Sequence, residues 1–121
     1  MNPEKLLSEW MTRLGLSDWR IALSYKCTPQ EMKLENVDGC SVWEESIKSA
    51  TIQILDERYY GERVVKYDFE RILVHELLHL KTCFISDTGN DLQDRVAHQI
   101  IDDLARAFVD AKRNKSTKEK G

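Results

Sequence analysis

The chain has 121 residues, of which 32% are charged and 41% are hydrophobic, and its net charge is −3 at pH 7. This length predicts a single domain that is large enough to bury a core without disulfide bonds. The acidic balance gives no basic face for nucleic acid, and no apolar run approaches the roughly 20 residues needed to span a bilayer. The composition therefore favours neither a nucleic acid nor a membrane as the partner.

The cysteines and the first residues of the chain bear on its compartment. Three cysteines are present, an odd number. Cys27 and Cys40 have no CxxC partner, which excludes a zinc ribbon. The start of the chain lacks the basic and apolar regions of a signal peptide. We therefore expect reduced thiols and a cytoplasmic location.

The first half of the sequence predicts a helix followed by three strands. We predict Asn2 as the N-cap of the helix, with Pro3 in its first turn, and Gly15 as its C-cap. Alternation of apolar and polar residues predicts strands at 19–25, 39–43 and 49–55. The third strand directly precedes the next helix. Its edge is either free to pair with an extended peptide or covered by another strand or by the connector that follows.

Residues 68–83 contain no Gly or Pro and predict a second helix, with Asp68 as its N-cap. This helix is apolar over most of its circumference and should be largely buried. It carries His75, Glu76 and His79, an HExxH motif. The two histidines lie one turn apart and point in directions only about 40° apart, so both can reach one tetrahedral metal. The alternative is that both are ordinary hydrogen-bonded side chains, but buried polar groups need partners and a metal is the most economical common one.

Glu76 is the predicted catalytic residue. It projects about 100° from His75, to the same side of the helix, so that its carboxylate reaches a metal-bound water without being a ligand. The metal lowers the pKa of the water to about 7, and the carboxylate takes its proton as the water attacks a carbonyl. Tyr59, Tyr60 and Tyr67 flank the motif as candidate donors to a developing oxyanion, and nothing in the sequence selects among them.

A catalytic zinc site needs a third protein ligand and leaves the fourth position to water. His98 lies in a further predicted helix, residues 90–112, one turn after Asp94 and one turn before Asp102. It stands at the edge of an apolar stripe formed by Ala97, Ile100, Ile101, Leu104, Ala105 and Phe108. We predict His98 as the third ligand, because neutral imidazole suits zinc, and Asp102 as the carboxylate that orients a ligand imidazole. Asp94 is the alternative ligand, and a surface position is the other interpretation of His98.

The predicted order of a helix, three strands and two helices indicates an α+β fold in one domain, residues 1–111. Residues 112–121 are almost entirely polar and basic, and they predict a disordered tail. Such a tail is more often a solvated terminus than a nucleic-acid contact.

This plan resembles the minimal zincin fold, and more closely the small metallopeptidase-like domains often encoded by phages and prophages, akin to the minigluzincins. The resemblance is carried by Trp19-Arg-Ile, Ala50-Thr-Ile-Gln-Ile, Leu73-Val-His-Glu-Leu-Leu-His-Leu and His98-Gln-Ile-Ile-Asp-Asp-Leu-Ala-Arg-Ala-Phe. It implies a zincin-like fold, one zinc ion per chain and proteolysis of a peptide or protein substrate. In that family the final helix usually presents a glutamate where His98 stands. A three-histidine site departs from this pattern and removes one negative charge.

Three functions are compatible with these residues. The first is a zinc-dependent peptidase, which the intact Glu76 favours because a purely structural site has no need of it. The second is a zincin-shaped binding or regulatory module whose metal is structural or whose peptidase activity has been lost. The third is a metal-dependent hydrolase that acts on a bond other than a peptide bond.

Overall fold

The computed structural model describes residues 1–83 and 88–120, with side chains in the last helix described through residue 115. Its elements in chain order are α1 Pro3–Arg13, β1 Arg20–Cys27, β2 Gly39–Glu44, β3 Ser49–Leu55, α2 Phe69–Lys81 and α3 Asp91–Lys120. The predicted α+β class is therefore confirmed at the level of three helices and a small three-stranded sheet. Among the described helices, none combines the length and the apolar character needed to cross a membrane.

The predicted helix ends are set by local hydrogen bonds. The Asn2 side chain accepts bonds from the backbone N–H groups of Glu4 and Lys5 at 3.1 and 3.2 Å. The Asp68 carboxylate accepts a bond from the backbone N–H of Arg71 at 3.2 Å and so starts α2. Gly15 follows the last turn of α1 with φ +71°, the left-handed conformation that glycine adopts without steric cost. The predicted N-caps Asn2 and Asp68 are confirmed, whereas the C-cap of α1 is Leu14 and Gly15 is the residue that follows it.

The sheet has the strand order β1-β3-β2, with β1 parallel and β2 antiparallel to β3. Strand β3 is central, so the prediction that one of its edges is free is wrong, and the alternative of a covering strand is confirmed. The burial along β3 explains its place, because Ile52 and Ile54 are fully buried and the strand ends on a buried Leu55. The edge strand nearest α2 is β2, which contacts that helix.

Helix α2 lies between the sheet and α3 and is buried over most of its surface. Leu73, Val74 and Leu77 have no exposed surface. Helix α3 adds a narrower set to the core than the sequence predicted: Ile101, Ala105 and Val109 are at most 2% exposed. The residues of the predicted stripe that stay exposed are Ile100 at 53%, Leu104 at 38% and Phe108 at 38%. The apolar stripe on α3 is therefore wider than the contact of α3 with the rest of the domain, and part of the stripe stays exposed.

Helix α3 continues past residue 111, where the sequence predicted the domain to end in a disordered tail. The ammonium group of Lys112 binds the buried carboxylate of Glu70, which also accepts a bond from the Trp10 indole N–H at 2.7 Å. The Arg113 guanidinium donates to the Asp68 carboxylate at 2.7 Å. These bonds join the last helix to α1 and to the start of α2, so residues 112 and 113 belong to the folded domain.

Candidate metal centre

Three histidines converge where α2 faces α3. Each of His75, His79 and His98 offers a ring nitrogen, and these nitrogens all lie within 4.8 Å of one another. The ring centroids are 5.0 Å apart for His75 and His79, 4.7 Å for His75 and His98, and 5.2 Å for His79 and His98. The structure therefore brings together the three side chains that the sequence predicted as ligands.

The histidine cluster suits a divalent metal in its chemistry. Burial lowers the pKa of His75 and lowers that of His79 to about 4, and the neighbouring imidazoles act in the same direction. His75 and His79 are therefore neutral at pH 7, the form in which imidazole binds a metal. Zinc–nitrogen bonds are about 2.0–2.1 Å long, so the ligand nitrogens around a tetrahedral ion lie roughly 3.4 Å apart, a spacing compatible with ring nitrogens that lie within 4.8 Å of one another. His75 is buried and His98 is exposed, which leaves one side of the cluster open to solvent.

Asp102 contacts the cluster from α3. Its Oδ1 atom lies 3.2 Å from Nδ1 of His75, so a proton on Nδ1 is held by the carboxylate and Nε2 is left for a metal. Arg71 Nη1 donates to the same oxygen at 3.3 Å, and Arg106 Nε lies 3.6 Å from the other oxygen. The carboxylate is thus fixed from two sides, in the position that the sequence assigned to it behind a ligand imidazole.

Asp94, the alternative third ligand, lies elsewhere. Its Oδ1 accepts bonds from the backbone N–H and the hydroxyl of Thr88 at 2.9 and 2.7 Å, and its Oδ2 accepts from the N–H of Gly89 at 3.2 Å. These bonds hold the turn before α3. Among the described residues, the histidine cluster is the group with metal-ligand spacing, and Asp94 is not part of it.

Glu76 is buried, with 6% of its surface exposed, beside the start of β2. The Ser41 hydroxyl donates to its Oε1 atom at 2.7 Å. Gly39 lies so close that a Cβ atom there would stand 2.9 Å from Oε2 of Glu76 and 2.9 Å from a methyl carbon of Ile72. Burial raises the pKa of Glu76 to about 7, the Ser41 bond opposes this shift, and Asp38 adds to it. A bound dication would lower the pKa again, because it stabilises the carboxylate.

The sequence did not predict Ser41 and Gly39 as parts of the site. A glycine at the start of a strand can mark a close backbone approach, so Gly39 carried a weak signal. Ser41 carried none, because its contact with Glu76 depends on which strand lies next to α2. Both contacts with Glu76 arise because β2 lies next to α2 in the fold.

The tyrosines give no oxyanion donor that the structure singles out. The Tyr60 hydroxyl donates to the carbonyl of Val65 at 2.6 Å, and the Tyr67 hydroxyl donates to that of Leu55 at 2.7 Å. Burial raises the pKa of Tyr67 to about 12. Tyr59 is exposed. The hydroxyls of Tyr60 and Tyr67 therefore hold the connector before α2 rather than face the histidines.

Two cavities meet at Glu76 and His98. One has a volume of about 260 Å³ and a polar wall that includes Asp38, Arg63 and Arg71. The other has a volume of about 280 Å³ and a largely apolar wall that includes Leu34, Val37 and Trp43. A larger cavity of about 860 Å³ lies at the start of α2, away from the histidines. The space beside Glu76 and His98 therefore has a polar wall on one side and an apolar wall on the other.

Comparisons of the chain with protein-family models, with curated proteins and with solved structures found no match in any of the three. The resemblance to small phage-type zincins therefore stays a prediction from the motif residues.

Proposed function

We propose that the protein is a zinc-dependent peptidase that acts on peptide or protein substrates. The observation that carries this proposal is the placement of Glu76, a buried carboxylate on the same helix as two of the clustered histidines, with Ser41 donating to it at 2.7 Å. A buried carboxylate costs free energy, and a structural metal site gains nothing from one. An acid–base residue beside the metal position is what hydrolysis requires.

In this proposal His75, His79 and His98 hold the ion, and Asp102 orients His75. A zinc ion bound there supplies Lewis-acid chemistry, since it polarises a carbonyl and lowers the pKa of a water molecule to about 7. Glu76 accepts the proton of the attacking water and passes it to the nitrogen of the leaving amine. Ser41 holds one carboxylate oxygen, which leaves the other free for this transfer.

The substrate would lie along β2. In the described parts of the chain β2 pairs only with β3, so the backbone groups of its outer edge are available to an added strand. Gly39 and Ser41 belong to this strand and contact Glu76, so a peptide paired with β2 would run past the proposed base. Strand β2 thus replaces β3 as the candidate substrate-binding strand.

The test compares the wild type with Glu76→Gln, both loaded with one equivalent of zinc, on an unfolded protein substrate. We expect both to retain the metal, measured by native mass spectrometry, and the variant to lose at least about 100-fold in cleavage rate, because glutamine cannot accept the proton. Glu70→Gln is the matched control, a buried glutamate on the same helix that should keep cleaving if its fold is intact. Equal cleavage by wild type and Glu76→Gln would refute the role of Glu76. Absence of cleavage by the zinc-loaded wild type would refute the peptidase and favour a binding module.

A further inference from the structure

The apolar cavity of about 280 Å³ beside Glu76 and His98 opens along β2. Its walls come from three parts of the chain. Leu34 and Val37 belong to the segment before β2, Trp43 belongs to the strand, and the metal centre closes the remaining side. The volume exceeds that of any single amino-acid side chain, so one substrate side chain can enter it whole. We call this cavity the Trp43 pocket.

The segment before β2, residues 28–38, is held in place by Gln53 of β3. The Gln53 side chain accepts a bond from the backbone N–H of Lys33 at 2.9 Å and donates one to the carbonyl of Glu31 at 2.9 Å. Met32, between these two positions, is buried in a small apolar cluster, and Val37 packs against the same cluster. The wall of the Trp43 pocket is therefore anchored to the sheet rather than formed by a free loop.

The chemistry of the Trp43 pocket selects an apolar side chain. Apart from the histidines, the described residues that line it contribute one charged side chain, Glu76, and the Ser41 hydroxyl already donates to that carboxylate. A charged substrate side chain would lose its water in the pocket without gaining a partner, which costs free energy. An apolar side chain gains free energy when the pocket removes it from water.

Strand β2 and helix α2 run in the same direction. Gly39, which starts β2, lies against Ile72 and Glu76. The thiol of Cys83, which follows α2, lies 3.9 Å from a carboxylate oxygen of Glu45, which follows β2. The two cavities of the site therefore succeed one another along the strand. The polar cavity lies at the start of β2, and the Trp43 pocket extends toward its end.

This order determines which substrate residue meets each cavity. Antiparallel pairs of strands are the commoner kind. A peptide that pairs with β2 in this direction runs from the Trp43 pocket to the polar cavity. Glu76 and His98 border both cavities, so the bond to be cleaved lies between them. The side chain that enters the Trp43 pocket then belongs to the residue before this bond.

We propose that the Trp43 pocket is a specificity site, which accepts a large apolar residue, aromatic or aliphatic, on the amino side of the cleaved bond. This inference rests on the proposed function, because it names the substrate class of the same site. Leu34 and Trp43 set the preference, and Gln53 is a positioning residue that acts through the segment it holds. A peptide with phenylalanine in this position should exceed one with glycine by roughly 100-fold in kcat/KM.

The first experiment maps the cleavage sites of the zinc-loaded wild type on an unfolded protein, with the ends of the products read by mass spectrometry. Large apolar residues should precede the cleaved bond in most products. Cleavage without a preference at this position would overturn the proposal and leave the peptidase standing. A preference that appears only after the cleaved bond would also overturn it, because it would require the opposite strand direction.

The second experiment changes the wall without changing the metal centre. Leu34 is 55% exposed, so Leu34→Glu should fold and bind zinc like the wild type. The variant should lower the ratio of kcat/KM for a phenylalanine peptide to that for a lysine peptide at least about tenfold, because the new carboxylate can pair with lysine. Ile47→Glu is the matched control, since Ile47 is an isomer of leucine, is 63% exposed and lies outside the pocket. An unchanged ratio in Leu34→Glu would overturn the proposal.

The third experiment separates the pocket from the chemistry. Calorimetry measures the binding of blocked alanine and serine peptides, each with one central phenylalanine, lysine or glycine, to zinc-loaded Glu76→Gln. The phenylalanine peptide should bind at least about tenfold more tightly than the other two. Equal binding of the three peptides would overturn the pocket. Absence of cleavage by the wild type refutes the peptidase, whereas the pocket stands or falls by this binding ratio.

The same titrations test the role of Gln53. Gln53→Ala removes both bonds to the segment 28–38 and should lower the ratio of phenylalanine to glycine binding at least about threefold. Thr51→Ala, on the same strand and the same face of the sheet, is the matched control and should keep the ratio. A loss of stability alone would weaken both peptides equally. An unchanged ratio in Gln53→Ala would therefore refute the positioning role.

Discussion

The raised pKa of Glu76 predicts an unusual pH dependence of stability in the metal-free protein. The perturbation is Glu76→Gln, which keeps the shape of the side chain and an oxygen that can accept the bond from Ser41. In the folded chain burial raises the pKa of Glu76 from 4.5 to about 7. In the unfolded chain the carboxyl group titrates near its ordinary value.

The sign of the effect follows from proton linkage. Below pH 4.5 the group is protonated in both states and carries no penalty. Between pH 4.5 and pH 7 the unfolded chain releases the proton and the folded chain keeps it, so the wild type loses free energy of unfolding as the pH rises. The rise of the pKa of Glu76 from 4.5 to about 7 corresponds to a loss of about 3 kcal/mol in the free energy of unfolding, and this loss is complete above pH 7. The glutamine side chain of the variant does not titrate, and the other groups of the chain are the same in both proteins, so their contributions cancel in the comparison.

The assay is urea unfolding of wild type and variant in a chelator at pH values from 4.5 to 8. Between pH 4.5 and pH 7 the free energy of unfolding of the variant should rise by about 3 kcal/mol relative to that of the wild type. Glu70→Gln is the control, and its effect on the free energy of unfolding should have the opposite sign. Burial alone would raise the pKa of Glu70, but hydrogen bonds from Lys112 and Trp10 lower it, so its loss should destabilise the protein above pH 4.5. If the two proteins differ in free energy of unfolding by an amount that does not change with pH, the reasoning is refuted. Added zinc should reduce the pH-dependent difference, because the cation stabilises the carboxylate of Glu76.

Three further substitutions test other contacts. Asp102→Asn should weaken zinc binding about 10–100-fold in calorimetric titrations, whereas Asp103→Asn, at the next and more exposed position, should bind like the wild type. Gly39→Ala should displace the Glu76 carboxylate and destabilise the fold by about 1–3 kcal/mol, while zinc still binds. Unchanged stability in thermal unfolding would show that β2 shifts to accommodate the added methyl group. Lys112→Ala removes one of the two cations at the buried carboxylate of Glu70, leaving Arg113 Nη2 at 3.4 Å, and should cost about 1–3 kcal/mol in urea unfolding. Lys115→Ala should cost less than about 0.5 kcal/mol.

Much of the fold was predictable because its signals are local. Asn2 and Asp68 cap helices through their own side chains, and the alternation at 49–55 gave the bounds of β3 as observed. The order of the strands was not predictable, since the same pattern fits a central or an edge strand. The end of the domain was mistaken because a basic run resembles a solvated tail, and only the acidic partners from other elements, such as Glu70, show otherwise.

The candidate site shows the same division. His75 and His79 lie on one helix, so their spacing in the sequence predicts that their side chains point in similar directions. His98 was predicted because it is the remaining histidine and lies on a helix that packs against α2. Ser41 and Gly39 reach Glu76 from a strand more than thirty residues away in sequence. The exposed face of α3 was mistaken for core because a periodic stripe reports that a surface is apolar, without reporting whether this chain or another covers it.

The strand order also has a consequence for the sequence of folding events. Strands β2 and β3 are joined by a short turn, whereas β1 can meet β3 only after the chain has passed through β2, so the hairpin closes the smaller loop and loses less entropy. Folding is expected to begin there, as in other chains where local pairs form before distant ones. Gly39 and Ser41 belong to this hairpin, so the surface that receives the Glu76 carboxylate is formed before α2 docks on it. Pulsed hydrogen exchange during refolding should accordingly protect the amides of β2 and β3 ahead of those of β1.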